Sequence, residues 1–240
     1  MSLVVPAVLP SSRKNLEETL ALLAPIPPVS RIQIDVVDGR LAAPASWPYT
    51  APAELAGMAA RGEMLPHLDC IQYEIDLMCF DAADAVGAWI ALGASRFVVH
   101  PEAAPDLAAF FKGLRRRYGG GAEFSQAPLA SFGLAVNVAG GLAPLASCAA
   151  EIDFIQCMGI ARVGRQGEPF DPRALKKVQE IRARYPDIPL QVDGGVTLAH
   201  AKEIAVLGVA NLVVGSAILR AENPAAAVAA LEALQSPYGV

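Results

Sequence analysis

The chain has 240 residues, of which 54% are hydrophobic and 18% are charged, and its formal net charge is −5. This length suits one large domain, the acidic balance argues against a nucleic-acid surface, and no apolar run reaches the roughly 18 residues of a membrane helix. The first residues lack the basic and apolar regions of a signal peptide, so we expect a cytoplasmic protein without a membrane partner.

Short apolar runs alternate with helical patterns along the chain, and most of these runs are apolar on both faces, as in buried parallel strands. The predicted strands are Leu3–Leu9, Arg31–Val36, Ile71–Met78, Arg96–His100, Phe132–Asn137, Ile152–Met158, Pro189–Asp193 and Asn211–Val214. The predicted helices are Leu16–Leu23, Ala53–Arg61, Ala82–Leu92, Asp106–Tyr118, Leu142–Ala149, Pro172–Tyr185, Leu198–Leu207 and Pro224–Leu234. Thr197 and Asp171 are expected to cap the helices that follow them.

Strict alternation of strands and helices gives an α/β protein, either a closed barrel or an open doubly wound sheet. An open sheet of that type usually has a glycine-rich turn after its first strand, whereas Leu9–Pro10–Ser11–Ser12 follows here. The number of strands therefore favours a single (β/α)8 TIM barrel over residues 1–240. Two features fit this fold less well: Pro6 removes a ladder hydrogen bond from strand one, and residues 119–128 form a long loop.

Polar residues at the carboxyl ends of barrel strands are the first candidates for function. Asp35, Asp76 and Asp193 lie there on strands two, three and seven, although each alone could be a helix cap or an ion-pair partner. Burying several carboxylates together is costly unless a cation or a shared proton compensates their charge. The three aspartates therefore indicate a metal site, a proton-transfer pair, or both.

Other polar residues are expected to be structural. Asp38 lies in a turn and Asp153 at a strand entrance. The four cysteines lack C-x-x-C spacing, and they are expected to be reduced thiols of the core: Cys70, Cys79, Cys148 and Cys157.

Two glycine turns form a second candidate site. Gly194–Gly195 follows strand seven, and Gly215–Ser216 follows strand eight, where a short helix should begin near Ser216. Loops at these positions of a barrel commonly bind phosphate through backbone N–H groups. The sequence thus predicts an anion site and a small phosphorylated ligand.

The same segments resemble the ribulose-phosphate 3-epimerase family. Its motifs recur in order as Q-I-D-V-V-D-G, E-I-D-L-M, H-P-E, L-A-V-N-V, Q-C-M-G-I-A-R-V-G-R-Q-G-E-P-F, V-D-G-G and G-S-A-I-L. The resemblance implies a barrel of the ribulose-phosphate-binding type and a proton transfer at the carbon beside a ketone. It also implies that Asp35 and Asp193 carry the proton, and that Met78, Met158 and Asn137 lie beside the substrate.

Departures from the family pattern fall at the metal site. The family holds a divalent metal with two histidines and two aspartates, but Gln33 and Asp76 stand at the histidine positions. The ligand set Gln33, Asp35, Asp76 and Asp193 would supply only oxygen, which suits Mg²⁺ or Mn²⁺ better than Zn²⁺. A site without a metal is the alternative.

Further departures surround the substrate. Ala7 stands where a serine contacts substrate in the family, and the loop after strand six is rewritten, with Ala161–Arg165 in place of the family's glycine-rich segment. Arg162 and Arg165 are either solvated or available for a phosphate or carboxylate. The resemblance makes His100 a supporting residue rather than a catalytic one.

Three functions remain open on the sequence. The first is an epimerase or isomerase of a ketose phosphate, which uses the two aspartates and an altered metal site. The second is a non-catalytic or regulatory barrel that binds a sugar phosphate. The third is a lyase or decarboxylase of the same barrel group, although that group's D-x-K-x-x-D pattern is not visible. Related barrels often assemble as oligomers, so a homo-oligomer also stays open.

Overall fold

A computed structural model describes residues 2–119 and 129–234. Eight parallel strands form a closed barrel in chain order, with β8 paired to β1. The strands are β1 (Val4–Val8), β2 (Arg31–Val37), β3 (Gln72–Met78), β4 (Arg96–Val99), β5 (Ser131–Val136), β6 (Phe154–Met158), β7 (Leu190–Asp193) and β8 (Asn211–Val214). The predicted (β/α)8 barrel is therefore confirmed.

Helices connect the strands and cover the outside of the barrel. In the described part of the chain they are α1 (Arg13–Leu23), α2 (Pro52–Ala60), α3 (Ala82–Ala91), α4 (Leu107–Tyr118), α5 (Ala143–Cys148), α6 (Arg173–Arg184), α7 (Leu198–Ala205), α8 (Ser216–Leu219) and α9 (Pro224–Glu232), with 3₁₀ turns at Pro101–Ala103 and Ala149–Glu151. The short α8 begins at the predicted Ser216. None of these described helices is long and apolar enough to cross a membrane.

Most predicted element bounds lie within two residues of those in the structure. The largest difference is at α1, which begins at Arg13 rather than Leu16 because the Ser12 side chain caps the helix by accepting a hydrogen bond from the backbone N–H of Asn15. The predicted start followed the apolar pattern, and Leu16 is the first buried residue of this helix. Thr197 caps α7 as predicted. The cap expected at Asp171 is wrong by one residue, because Pro172 is the N-cap of α6 and has no side-chain hydrogen bond. The Asp171 carboxylate still accepts from the Arg173 N–H at the start of this helix.

Alternation along the strands separates two sets of side chains. On β3, Tyr73, Ile75 and Leu77 belong to the large apolar core between barrel and helices. Glu74 and Asp76 alternate with them and point into the barrel, where they contact side chains of other strands. On β3, polar residues therefore face the inside of the barrel and apolar residues face the layer around it. Other strands also send apolar side chains inward, in two smaller clusters that include Val98, Ala135 and Phe154, and Val5, Ala7 and Val213.

The residues expected to be structural mostly have that role. Asp38 accepts hydrogen bonds from the N–H groups of Arg40, Leu41 and Phe80 in a turn. Asp153 pairs with Arg115 at 2.6 Å.

Pro6 lies within β1 as predicted, next to Val214 of β8. All four cysteines are free, but Cys70 is exposed, so its expected place in the core is wrong: it sits in the turn before β3. Of the loop predicted for residues 119–128, residues 120–128 lie outside the described part of the chain.

Candidate active site

Three aspartates meet at the carboxyl ends of the strands. In the ladder between β2 and β3, Asp35 lies opposite Asp76, while Asp193 ends β7. One carboxylate oxygen from each lies within 4.8 Å of the others. Asp76 and Asp193 are buried, and Asp35 is partly buried. The structure therefore brings the three predicted carboxylates into one cluster.

Two side-chain amides bridge these carboxylates. Gln33 Nε2 donates to Asp35 Oδ1 at 2.9 Å and to Asp193 Oδ2 at 3.1 Å. Gln156 Nε2 donates to Asp76 Oδ2 and to Asp193 Oδ2, both at 3.1 Å. Because Asp193 Oδ2 accepts from both amides, it is the point at which the two bridges meet. Charged acceptors make such hydrogen bonds stronger than neutral ones.

Gln156 was not singled out from the sequence. It lies two residues before Met158 on β6, within the otherwise apolar strand F-I-Q-C-M. A polar residue at a position that must face the barrel interior was the available signal. The prediction from polar residues at strand ends does not include Gln156, because it lies two residues before the end of β6.

The protonation of the cluster is set by burial and by the neighbouring charges. Burial raises the pKa of Asp35 well above its usual range, and the charge of Asp76 adds to this. Burial likewise raises the pKa of Asp193, with further contributions from Asp35 and Asp76. Hydrogen bonds from Gln33 act in the opposite direction on both groups. Two carboxyl groups thus hold protons at higher pH than exposed aspartates do.

His100 lies behind Asp76. Its Nε2 is 3.1 Å from Asp76 Oδ1, and both side chains are fully buried. Burial acts to lower the pKa of His100, but the charge and hydrogen bond of Asp76 outweigh it, and the net shift is upward. His100 is not among the residues that line the site cavity. This position fits the supporting role expected from the sequence.

A buried ionic cluster lies one layer below the aspartates. Glu74 Oε2 accepts from Arg96 Nε at 2.7 Å, and Arg31 Nη1 lies 3.8 Å from the same oxygen. The Arg96 guanidinium also lies over the ring of Phe154, with 3.8 Å between its carbon and the ring centroid. Gln191 Nε2 donates to Glu74 Oε1 at 2.6 Å and thereby links this cluster to the layer above.

One cavity joins the aspartates to the glycine turns. Most of the residues predicted to form the site line it: Asp35, Asp76, Met78, Met158, Asp193, Gly194, Gly195, Gly215 and Ser216. Ala7, Arg165 and Gln166 line it as well. Gln33 lies beneath the carboxylates and contacts two of them. Asn137 does not reach this cavity: it lines a separate one, where its Nδ2 donates to Glu102 Oε1 at 3.1 Å.

The turn after β7 requires glycine. Gly194 and Gly195 have φ values of +102° and +68°, which favour glycine strongly. A Cβ on Gly195 would lie 2.6 Å from the backbone of Phe170, so the loop after β6 packs directly on this turn. Gln166 of that loop donates from Nε2 to the Ala7 carbonyl at 3.1 Å and lies against Gly215. The loop thereby closes one side of the cavity.

Comparison with known proteins decides the family. A model of the ribulose-phosphate 3-epimerase family matches residues 55–219, more than half of the chain. The chain belongs to this family.

Relatives within the family match parts of the chain. The ribulose-phosphate 3-epimerase of Escherichia coli (strain K12) is 31% identical over 149 residues, which cover 60% of this chain and 61% of that protein. That of Schizosaccharomyces pombe is 31% identical over 81 residues, covering 34% and 35%. The matches thus span less than two thirds of each relative.

A solved structure supports the fold. The crystal structure of a 3-hexulose-6-phosphate synthase is 18% identical with a TM-score of 0.65, covering 98% of this chain and 100% of that one. At this identity the likeness concerns the barrel alone.

Arg162 and Arg165, the two arginines in the rewritten loop after β6, differ in position. Arg165 lines the cavity, and its Nε donates to the Ala43 carbonyl at 3.0 Å. Arg162 pairs with Glu168, and 72% of its side chain is exposed. Of the two, Arg165 is the one that borders the cavity.

The donor set fits a hard divalent cation. Three carboxylates supply oxygen, and the buried Gln33 Oε1 has no hydrogen-bond partner. With the Gln33 amide turned by 180°, this oxygen would face the carboxylates, an arrangement that is favourable only with a cation between them. With the nitrogen toward them, as in the structure, the amide itself offsets part of their repulsion. Zinc, which prefers nitrogen and sulfur, fits this set less well.

Proposed function

We propose that the protein is an isomerase, similar to ribulose-phosphate 3-epimerase, that acts on a ketose phosphate by proton transfer between Asp35 and Asp193. The observation that carries the proposal is that both carboxyl groups and both glycine turns line one cavity. The aspartates supply two proton carriers, and the turns supply backbone N–H groups for a phosphate.

Each aspartate has one task in this reaction. An ionised carboxylate removes the proton from the carbon beside the ketone, and a protonated carboxyl group returns a proton from the other face. This requires one ionised and one protonated member near neutral pH. The raised pKa values of Asp35 and Asp193, together with their shared donor Gln33, favour such a state.

The remaining residues bind and shield the substrate. Met78 and Met158 are buried, and they would exclude water from the reacting carbon. Gly194, Gly195, Gly215 and Ser216 would hold the phosphate. Mg²⁺ or Mn²⁺, held by Asp35, Asp76, Asp193 and the Gln33 amide oxygen, would supply positive charge beside the ketone oxygen when bound. A small sugar phosphate is the proposed ligand.

A binding protein is the second candidate, because Gln33 and Asp76 replace both histidines of the family's metal site. A lyase or decarboxylase is the third, but among the described residues that line the cavity there is no lysine. Product analysis by NMR separates all three, since only an epimerase returns an isomer with the same carbon count.

The test is deuterium incorporation into ribulose 5-phosphate and other ketose phosphates in D₂O, with and without Mg²⁺ or Mn²⁺. We expect exchange at the carbon beside the ketone, together with the epimeric product. Binding without exchange or product for every ketose phosphate would refute the isomerase and favour the binding protein. Cleavage or loss of carbon would favour the third candidate.

A further inference from the structure

Two amides, Gln156 and Gln191, connect the aspartates to the ionic cluster below. They lie opposite each other in the ladder between β6 and β7, and both are buried. Gln191 Nε2 donates to Gln156 Oε1 at 2.7 Å. Gln156 then donates from Nε2 to Asp76 and Asp193. Donation therefore diverges at Gln191, which donates down to Glu74 and up to Gln156, and from Gln156 it continues to the two aspartates at the rim.

The orientation of each amide follows from the group below it. Glu74, fixed by Arg96, can only accept hydrogen bonds when it is ionised, so Gln191 must turn its nitrogen toward it. The same nitrogen reaches Gln156 Oε1, which leaves the Gln156 nitrogen facing Asp76 and Asp193. In this arrangement Gln191 Oε1 stays buried without a partner. Such an atom is costly, so stronger contacts must hold the amide in this orientation.

We propose that Gln156 is a positioning residue for Asp193, and that Gln191 and Glu74 fix its direction. This inference rests on the proposed function. Gln156 joins the carboxyl group at the end of β7 to Asp76 on β3, across the barrel, without itself lining the cavity. It would hold the Asp193 carboxyl group in the orientation needed for proton transfer, and its loss would slow turnover more than it weakens substrate binding.

Methionine substitutions test this role because methionine keeps the unbranched shape of glutamine but has no N–H donor. For Gln156→Met we expect kcat to fall about tenfold to a hundredfold, since misplacing a catalytic group by about 1 Å has effects of this size. KM should change by less than about threefold, because the phosphate turns are untouched. Gln191→Met should lower kcat less, because Gln156 remains but is free to turn. The exposed Gln179→Met on α6 serves as the matched control.

The double variant separates positioning from general packing. If Gln191 acts through Gln156, Gln156→Met/Gln191→Met should be no slower than Gln156→Met alone. Independent packing roles would instead multiply the two effects. The positioning role would be overturned if folded Gln156→Met had an unchanged kcat, or if a rise in KM accounted for its whole loss of kcat/KM. Either result would leave the proposed isomerase function standing.

A second measurement does not depend on activity. The ¹H–¹⁵N spectrum of the wild-type protein should contain a side-chain amide pair that exchanges slowly with water and is absent in Gln156→Met. Absence of a protected pair in the wild type would refute the bridge itself. If the wild type shows the pair but catalyses no exchange on any ketose phosphate, the proposed function fails and the positioning role falls with it.

Discussion

Asp76 Oδ1 lies 3.1 Å from Nε2 of the fully buried His100. This contact explains how a third carboxylate can stand beside the two proposed proton carriers. His100 contacts Asp76 on the side away from the cavity, and Asp76 acts to raise the pKa of His100. The face of Asp76 that lines the cavity remains available to a cation or substrate. A histidine near a reactive rim invites a catalytic role, but this one supports its neighbour.

Removing that histidine should destabilise the protein in a pH-dependent way. For His100→Leu we expect a loss of about 3–5 kcal/mol in the free energy of unfolding at pH 6, because one partner of a buried pair remains. The folded-state pKa of His100 is raised, so its stabilisation is full below the unfolded value of about 6.5 and is lost as pH rises through the folded value. Urea unfolding at pH 6 and at pH 9 measures the difference.

The control for this series is His67→Asn. His67 is exposed and has a φ of +59°, a conformation that asparagine also adopts. It should leave the free energy of unfolding within about 0.5 kcal/mol of wild type at both pH values. If the loss of unfolding free energy in His100→Leu instead grew as the pH rises, the upward direction of the His100 pKa shift would be wrong.

Most of the fold could be predicted because the determining signals are local. Runs apolar on both faces are typical of strands that helices cover, and Thr197 marks the start of α7, whereas the cap at Ser12 was not predicted. The three aspartates could also be predicted to meet, since all parallel strands of a barrel end on one rim. These predictions require only the order and direction of the strands, and not the positions of individual side chains.

The remaining parts of the site depend on contacts across the barrel. Gln156 acquires its role from Asp76 on β3 and Asp193 on β7, which are far from it along the chain. No pattern within a single strand of the sequence predicts such a contact. Asn137 lies outside the cavity for a related reason: β5 ends at Val136, and the Asn137 side chain donates to Glu102.

The metal preference can be reversed by restoring nitrogen ligands. Wild-type protein should bind Mg²⁺ or Mn²⁺ in preference to zinc, because its candidate ligands are all oxygen. Asp76→His should raise zinc affinity, and the double variant with Gln33→His should raise it further, by at least about tenfold over wild type. Competitive titration with a chromophoric chelator gives the affinities, and exposed Asp69→His is the control. Stoichiometric zinc in purified wild-type protein would contradict the oxygen-only ligand set.

The anion site can be tested at Ser216 by comparing two substitutions. Ser216→Asp places a negative charge where the phosphate is proposed to bind, and should weaken ribulose 5-phosphate binding at least about tenfold. Ser216→Ala should weaken it less, since the backbone N–H groups remain. Aspartate favours a helix amino end, so it should not destabilise α8. Calorimetric titration measures binding, and equal affinities for both variants would place the phosphate elsewhere.

The two proposed proton carriers should be equally indispensable. Asp35→Asn and Asp193→Asn keep the shape of the side chain but remove its acid–base function, so each should lower the epimerisation rate by about 10²–10⁴-fold. Substrate binding should persist in both. NMR of the product in D₂O measures turnover, with exposed Asp187→Asn as control. Full activity in either variant would remove that residue from the mechanism.

The same two substitutions should stabilise the folded protein at high pH. The pKa values of Asp35 and Asp193 are raised in the folded state, so above the unfolded value of about 3.9 the folded protein binds more protons than the unfolded chain. Its stability therefore falls as pH rises from about 4 toward the folded pKa values, and each unit of elevation costs about 1.4 kcal/mol. Asparagine does not ionise, so Asp35→Asn and Asp193→Asn should unfold at higher urea concentration than wild type at pH 8 and at nearly the same concentration at pH 4.

Chelator in every sample keeps divalent cations from the carboxylates, and the control Asp187→Asn should show no such difference between pH 8 and pH 4. If both aspartate variants were instead less stable than wild type at pH 8 and recovered toward pH 4, the carboxylates would be stabilised as anions, and the one-ionised, one-protonated pair would be excluded.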